Sequence, residues 1–184
     1  MSSSPHQTIL ITGSTDGIGE ATARQLAKQG ARVLVHGRDA QKVRRVAGEI
    51  RSESGNERIE EYVADFSALA NVRRLAEEVS SDHDTLDVLI NNAGIGFGDE
   101  RQESEDGYEL RFAVNYLSHF LLTHLLLPLL KNANSARIVN VSSAGQQAID
   151  FDDVMLEDQY GSWRAYCQSK LALAMFTFEL AERL

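Results

Sequence analysis

The chain of 184 residues has a single cysteine, Cys167, so no disulfide framework holds it together. A fold without such staples needs a hydrophobic core, and this length suits one domain spanning 1–184. The lone thiol fits a reducing compartment, and a cytoplasmic setting is the expectation. Positive charge is scarce: 18 Lys and Arg stand against 27 Asp and Glu, for a net charge of −9. That balance argues against nucleic acid as a partner and against docking on anionic lipid. Long apolar runs are missing too. The most apolar stretch, from Phe120 to Leu130, holds Thr123, His124 and Pro128. It is shorter than the roughly 20 residues of a membrane span, so no transmembrane segment is expected and the stretch reads as a buried helix. The start, Met1 to Thr8, is polar and carries no secretory pattern. His6, His36, His83, His119 and His124 are scattered without an i, i+4 pair, so no metal site is expected. Cys167 reads as a small packing residue.

What the chain does have is alternation between two periodicities. Residues 8–12 (TILIT) form a short apolar run that stops at Gly13. Residues 18–29 follow with helical spacing of Ile18, Ala21 and Leu26, and Gly30 ends that helix. Residues 32–36 read as a second strand. Residues 39–53 place Val43, Val46 and Ile50 on one helical face. A third strand is expected over 59–64. Ser67 is placed to cap a helix bearing Leu69, Val72, Leu75 and Val79. A fourth strand over 86–91, a long helix over about 105–131, a fifth strand over 137–142 and a last helix from about Trp163 complete the order. Strands so rich in Val, Ile and Leu are buried on both faces, as in a parallel sheet. The fold class is α/β: a doubly wound (Rossmann) parallel sheet with helices on both faces. The acidic run from Asp99 to Glu109 reads as a solvated face. The least regular stretch, 144–161, carries Asp150, Asp152, Asp153, Glu157 and Asp158.

After the first strand comes Thr12-Gly13-Ser14-Thr15-Asp16-Gly17-Ile18-Gly19. Its glycines let the chain turn tightly from strand to helix and let a pyrophosphate approach the backbone. The helix N-terminus then offers free N–H groups and positive dipole to that anion. A tight turn without a ligand is the plainer alternative.

The glycine spacing and element order together resemble the short-chain dehydrogenase/reductase family. Four further motifs carry the resemblance: Asn91-Asn92-Ala93-Gly94 after strand four, Asn115 in the long helix, Ser142-Ser143 at the end of strand five, and Tyr166-Cys167-Gln168-Ser169-Lys170 as Y-x-x-x-K. The stretch 165–184 and the gap of 23 residues between Ser143 and Tyr166 are most similar to the branch containing retinol dehydrogenases, WW-domain oxidoreductases and protochlorophyllide reductases. The resemblance implies further strands beyond Leu184, so the domain is expected to be truncated after its fifth crossover helix, with an unpaired edge at strand five.

The resemblance also implies the cofactor and its residues. Gly13, Ser14, Thr15, Asp16, Gly17, Ile18 and Gly19 would meet the pyrophosphate region, Asp65 and Phe66 the adenine, and Asn92, Ala93 and Gly94 the cofactor beyond strand four. NAD-using members end strand two with an acidic residue. Here His36-Gly37-Arg38 stands there, and the Arg38 guanidinium suits a 2′-phosphate, so NADP(H) is preferred over NAD(H). Asp16 departs from the basic residue that many NADP-preferring relatives carry in the turn.

Tyr166 and Lys170 lie four apart and share one helical face. A phenol is a poor base at neutral pH, and a neighbouring ammonium stabilises its phenolate. The resemblance implies Tyr166 as proton donor or acceptor, Lys170 as holder of the nicotinamide ribose, Ser143 as partner of the substrate oxygen, and Asn115 as holder of a relay water. Ser142 is the neighbouring alternative to Ser143. The implied activity is hydride transfer between NADP(H) and a carbonyl or alcohol, with a neutral apolar small molecule as substrate because of the acidic 144–161 loop. A non-catalytic dinucleotide-binding sensor is the main alternative. An adenosylmethionine-dependent methyltransferase shares the glycine turn but leaves Y-x-x-x-K without a role. Pairing of two copies through the 105–131 and 163–184 helices rests on the resemblance alone.

Overall fold

Five strands form one parallel sheet in the order β3-β2-β1-β4-β5. The structure is a computed structural model that describes residues 7–98 and 100–184. The N-terminal residues up to His6, and Asp99 of the acidic run, lie outside the described residues. β1 (Thr8–Ile11) is buried along its whole length at the centre of the sheet. It pairs with β2 (Arg32–Gly37) on one side and β4 (Val88–Asn91) on the other, so Leu10 stands between Leu34 and Leu89. β3 (Ile59–Val63) and β5 (Arg137–Asn140) are the outer strands. The order reverses at β1: the chain builds outward through β2 and β3, then returns to the far side of β1. The helices that follow β1 and β4 therefore pack on opposite faces of the sheet, which leaves a crevice at the carboxyl ends of the central strands.

Alternate strand residues feed two cores. Ile9, Ile11, Val33 and Val35 pack with α1 (Gly17–Lys28) and α2 (Ala40–Ser54). Leu10, Leu34 and Leu89 pack with α3 (Leu69–Asp82) and α5 (Ser118–Asn132). α6 (Ser162–Arg183) buries Leu173, Phe176 and Leu180 against Tyr116 and Ile138. α2 forms as its pattern dictates. The Asp39 carboxylate accepts from the Gln41 and Lys42 amides, Val43, Val46 and Ile50 face inward, and Gly55 closes the helix in the left-handed region.

Several expectations are corrected. The inward face of α1 is Gly19, Ala23 and Ala27, whereas Ile18 is 72% exposed and Ala21 is exposed too. The start of the helix is pressed against the loop after β4, so position 19 has room only for glycine, and Ala23 and Ala27 pack in the core beside β1 and β2. The third helix is not capped by Ser67. Its Leu69 amide donates to the Asp106 carboxylate at 2.8 Å, and the Ser67 carbonyl accepts from Glu105 N. The long helix begins at 110, not 105, as α4 (Leu110–Phe112), a π-helical turn (Ala113–Leu117) and then α5. Glu109 decides that start, because its carboxylate accepts from Phe112 N at 2.7 Å. Glu109 is also 1% exposed, so the acidic run is not wholly a solvated face. The combined helix from Leu110 to Asn132 has 23 residues, longer than the apolar run alone suggests, and is long and apolar enough to cross a membrane by length and composition. In this fold its Leu122, Leu126, Leu129 and Leu130 belong to the core against α3. Finally, not every strand is buried on both faces. β3 carries Glu60 and Glu61, and β5 is an edge strand with Val139 43% exposed.

Candidate active site

The glycine turn sits directly on the Asn92-Ala93-Gly94 segment. Gly13 adopts φ +64°, and a Cβ there would lie 2.8 Å from the Ala93 Cα. A Cβ on Gly19 would collide with the Asn92 side-chain nitrogen and the Gly13 carbonyl. That nitrogen is committed, donating to the Thr12 carbonyl at 2.8 Å and the Gly13 carbonyl at 3.1 Å. The buried Thr12 hydroxyl accepts from the amides of Asn92 and Ala93, both at 2.9 Å. Thr12 thus ties the end of β1 to the loop after β4.

His36 fixes the turn from the other side. Its Nδ1 accepts from Gly13 N and its Nε2 donates to the Ala64 carbonyl, each at 3.1 Å. The ring is tilted against Phe66 with centroids 4.7 Å apart. Ser14 points into the protein, with its hydroxyl accepting from His36 N at 3.0 Å. His119 is buried as well. Its Nδ1 donates to the Asn115 carbonyl at 3.1 Å, and its Nε2 faces the Thr12 hydroxyl at 3.3 Å. Both rings are held neutral by burial, His36 down to about 4 and His119 to about 3. The unfolded chain protonates these rings near 6.5, so it binds more protons than the folded chain between pH 6.5 and about 4. Their contribution is intact above about 6.5 and is lost as the pH falls. Urea unfolding at pH 5 is expected to show a stability about 2 kcal/mol per ring below that at pH 7. An unfolding free energy equal at the two values would mean that these rings are not kept neutral.

A cavity of about 1090 Å³ runs along the carboxyl ends of β1, β2 and β4. At one end Gly37, Arg38, Lys42, Asp65 and Phe66 line it. Its middle is the glycine turn with Ile18 and the 92–94 segment, and at the other end stand Val141, Ser142, Tyr166 and Lys170. Lys42, which sequence reasoning passed over, pairs with Asp16 at 2.7 Å. Asp16 also caps α1, and the Lys42 hydrogen bond, then the Gly17 amide, hold its carboxyl below the usual carboxylate range.

Lys170 is 5% exposed. Its Nζ donates to the Val141 carbonyl at 3.0 Å and stands 5.9 Å from the centre of the Tyr166 ring. Burial lowers the Lys170 pKa from its ordinary value. Asn115 lies in the π-helical turn with its side chain fully buried. Its Oδ1 accepts from Ile95 N, and its Nδ2 donates to the Ile95 carbonyl and the Ser169 hydroxyl. Ser142 donates to the Lys170 carbonyl at 3.1 Å, while the Ser143 hydroxyl accepts from Gly145 N at 3.1 Å, one residue beyond the wall that Ser142 forms. The structure therefore brings the glycine turn, Arg38, Asp65, Phe66, the 92–94 segment, Tyr166 and Lys170 to one cavity. Ser14, Asn115 and Ser143 stand just behind it. The signal for Thr12 and His36 lay in two polar residues inside otherwise apolar strands, and that for Lys42 in its place one turn beyond Arg38.

The family model for short chain dehydrogenases matches residues 7–184. The chain belongs to the short-chain dehydrogenase family. Its branch is that of the retinol dehydrogenases. Human retinol dehydrogenase 13 is 41% identical over 183 residues, which cover 98% of this chain and 55% of that protein. The crystal structure of an uncharacterised protein from Mycobacterium paratuberculosis aligns with a TM-score of 0.85 and 39% identity, covering 97% of this chain and 62% of that one. The Pseudomonas aeruginosa RhlG/NADP active-site complex aligns with a TM-score of 0.78 and 33% identity, over 97% of this chain and 67% of that one. The chain spans little more than half the length of the curated relatives it matches.

Proposed function

We propose that this chain carries the cofactor cradle and proton-transfer residues of an NADP-dependent oxidoreductase that interconverts a neutral, apolar carbonyl compound and its alcohol. One observation carries the reading. Tyr166 and Lys170 sit at one end of a single cavity, and the basic pair Arg38 and Lys42 sits at the other. The cradle fits a dinucleotide: Gly13 and Gly19 keep Cβ atoms out of the turn, and a Cβ on Gly17 would meet only open space beside the start of α1. A dinucleotide held there would supply the hydride for reduction and, in its oxidised form, accept it for oxidation. Tyr166 gives its phenolic proton to the carbonyl oxygen, or takes one from the alcohol in reverse. The Lys170 ammonium beside the ring stabilises the phenolate that results. The Ser142–Ser143 pair after β5, with Ser142 in the cavity wall, orients the substrate oxygen, and Asn115 holds the π-helical turn facing Ile95 beside the site.

The choice of NADP(H) rests on the end of β2. A side chain at Gly37 would start with its Cβ 2.8 Å from Thr15 Cγ2, so the place of a ribose-binding carboxylate is closed. Arg38 is exposed beside it. The Lys42–Asp16 pair is exposed and weak, so a 2′-phosphate competes readily for the Lys42 ammonium. Polyanionic substrates are disfavoured by the carboxylates of the 144–161 loop, and retinol, after which the human relative is named, is a neutral apolar alcohol.

Trp163 is the only tryptophan, so its fluorescence reports titrations with NADPH and NADH. NADPH is expected to bind at least tenfold more tightly, and Arg38→Ala and Lys42→Ala each to weaken NADPH about tenfold while leaving NADH nearly unchanged. Equal affinity for the two cofactors would remove the NADP assignment. Oxidation of NADPH on adding a neutral ketone or aldehyde tests the oxidoreductase reading itself.

A further inference from the structure

Phe97 and Trp163 are large aromatic residues left 61% and 56% exposed, and both stand against Tyr166. The ring centres of Phe97 and Tyr166 are 5.0 Å apart at 70°, and those of Phe97 and Trp163 are 5.0 Å apart at 45°. Trp163 and Tyr166 lie 6.3 Å apart and within 28° of parallel. The three rings make one continuous aromatic wall, and Tyr166 is the one of the three that lines the cavity. Trp163 can take its place because residue 145 is glycine: a Cβ there would lie 3.1 Å from the Trp163 Cη2 and 3.5 Å from the Ser143 hydroxyl. The missing side chain at 145 thus lets the edge of the Trp163 ring stand close to the Ser143 hydroxyl.

Phe97 is not on a loose loop. Arg111, 3% exposed, donates from Nε to the Gly96 carbonyl at 3.0 Å and from Nη1 to the Tyr160 hydroxyl at 2.6 Å. Gly98 has no side chain, and its Cβ would collide with the Arg111 guanidinium. Arg111 thus holds the Gly96 carbonyl, packs against Gly98, and joins this segment to Tyr160 at the end of the 144–161 loop, three residues before Trp163. Two adjacent exposed rings make an apolar patch of the kind that marks a ligand-binding surface.

We propose that Phe97 and Trp163 are specificity-determining residues that bind a flat aryl group attached to the reacting carbon. The substrate class is an aryl aldehyde or ketone and the matching benzylic alcohol. Aromatic rings favour offset or edge-on contact with other rings over contact with saturated groups of the same size. This inference rests on the oxidoreductase reading above and deepens it.

The test compares kcat/KM for benzaldehyde and for cyclohexanecarbaldehyde, with NADPH, in the unaltered chain and in Trp163→Leu and Phe97→Leu. The two aldehydes share a six-membered ring and differ in flatness and π-surface. Their intrinsic reactivities cancel when variant and parent are compared. The ratio favouring benzaldehyde is expected to fall about tenfold in Trp163→Leu and severalfold in Phe97→Leu, through KM for benzaldehyde. Phe97 lies in a loop, so its variant keeps the test open should Trp163→Leu fail to fold. Turnover of both aldehydes at an unchanged ratio in both variants would overturn this inference and leave the oxidoreductase reading standing. No turnover of either aldehyde by the unaltered chain, with NADPH bound, would overturn both.

Discussion

Replacing Tyr166 with Phe is expected to lower kcat for carbonyl reduction by about 10²–10⁴-fold while NADPH affinity stays within about threefold. The substitution removes one oxygen and keeps the ring that packs against Phe97 and Trp163. The cradle formed by Gly13, Gly19 and Asn92 is untouched. Only the proton that the substrate oxygen must receive is lost. Lys170 cannot take over directly, because its ammonium is buried and bonded to the Val141 carbonyl. The measurement pairs steady-state turnover with Trp163 fluorescence titration on the same samples. Turnover within a few fold of the parent would place the proton donor elsewhere. A purely cofactor-sensing protein would bind NADPH and turn over nothing, with or without the phenol.

The largest effect on stability is expected at Arg111, where Met in its place should cost about 3–5 kcal/mol. The Arg111 guanidinium and the Glu109 carboxylate are 3% and 1% exposed and 3.3 Å apart. The remaining Glu109 bonds come from Phe112 N at 2.7 Å and the Tyr160 hydroxyl at 3.3 Å. Removing the cation leaves a carboxylate inside the protein with two neutral donors. A domain is stable by about 5–15 kcal/mol, so this loss is a large fraction of the total. Urea unfolding of Arg111→Met, and of the double variant with Glu109→Gln, checks it. The double variant should recover part of the loss because the stranded charge is gone. A loss under about 1 kcal/mol in the single variant would mean that the pair contributes no more than a surface ion pair.

Much of the architecture was legible from residue spacing because the decisive signals were local. Val43, Val46 and Ile50 repeat with the helical period and are all buried. Gly30 closes α1 at φ +84°, as a glycine after a last turn should. Tyr166 and Lys170 share a helix face and reach one cavity. What escaped was set by partners distant in sequence. α1 turns Gly19 toward the loop after β4, which presses on the helix start, and Ala23 and Ala27 into the core beside β1 and β2, and no hydrophobic count selects such small residues. Asp106 caps α3 from 37 residues away. Glu109 is buried because Tyr160, 51 residues later, and Arg111 surround its carboxylate. Likewise Thr12 and His36 look like polar interruptions of strands until the loops they hold are in place.

The knot of bonds around Thr12 also sets when the cradle can exist during folding. Its hydroxyl holds amides 80 and 81 residues further along, and Asn92 reaches back to Gly13 across a similar separation. Contacts of such separation close late, after the entropy of a long loop has been overcome. The pairs of β1 with β2 and of β2 with β3 close over far shorter loops. A chain that has formed only those strands has a glycine turn with nothing behind it. Affinity for the dinucleotide should therefore appear in refolding only with the step that docks β4 on β1, so bound NADPH would report the arrival of that one strand.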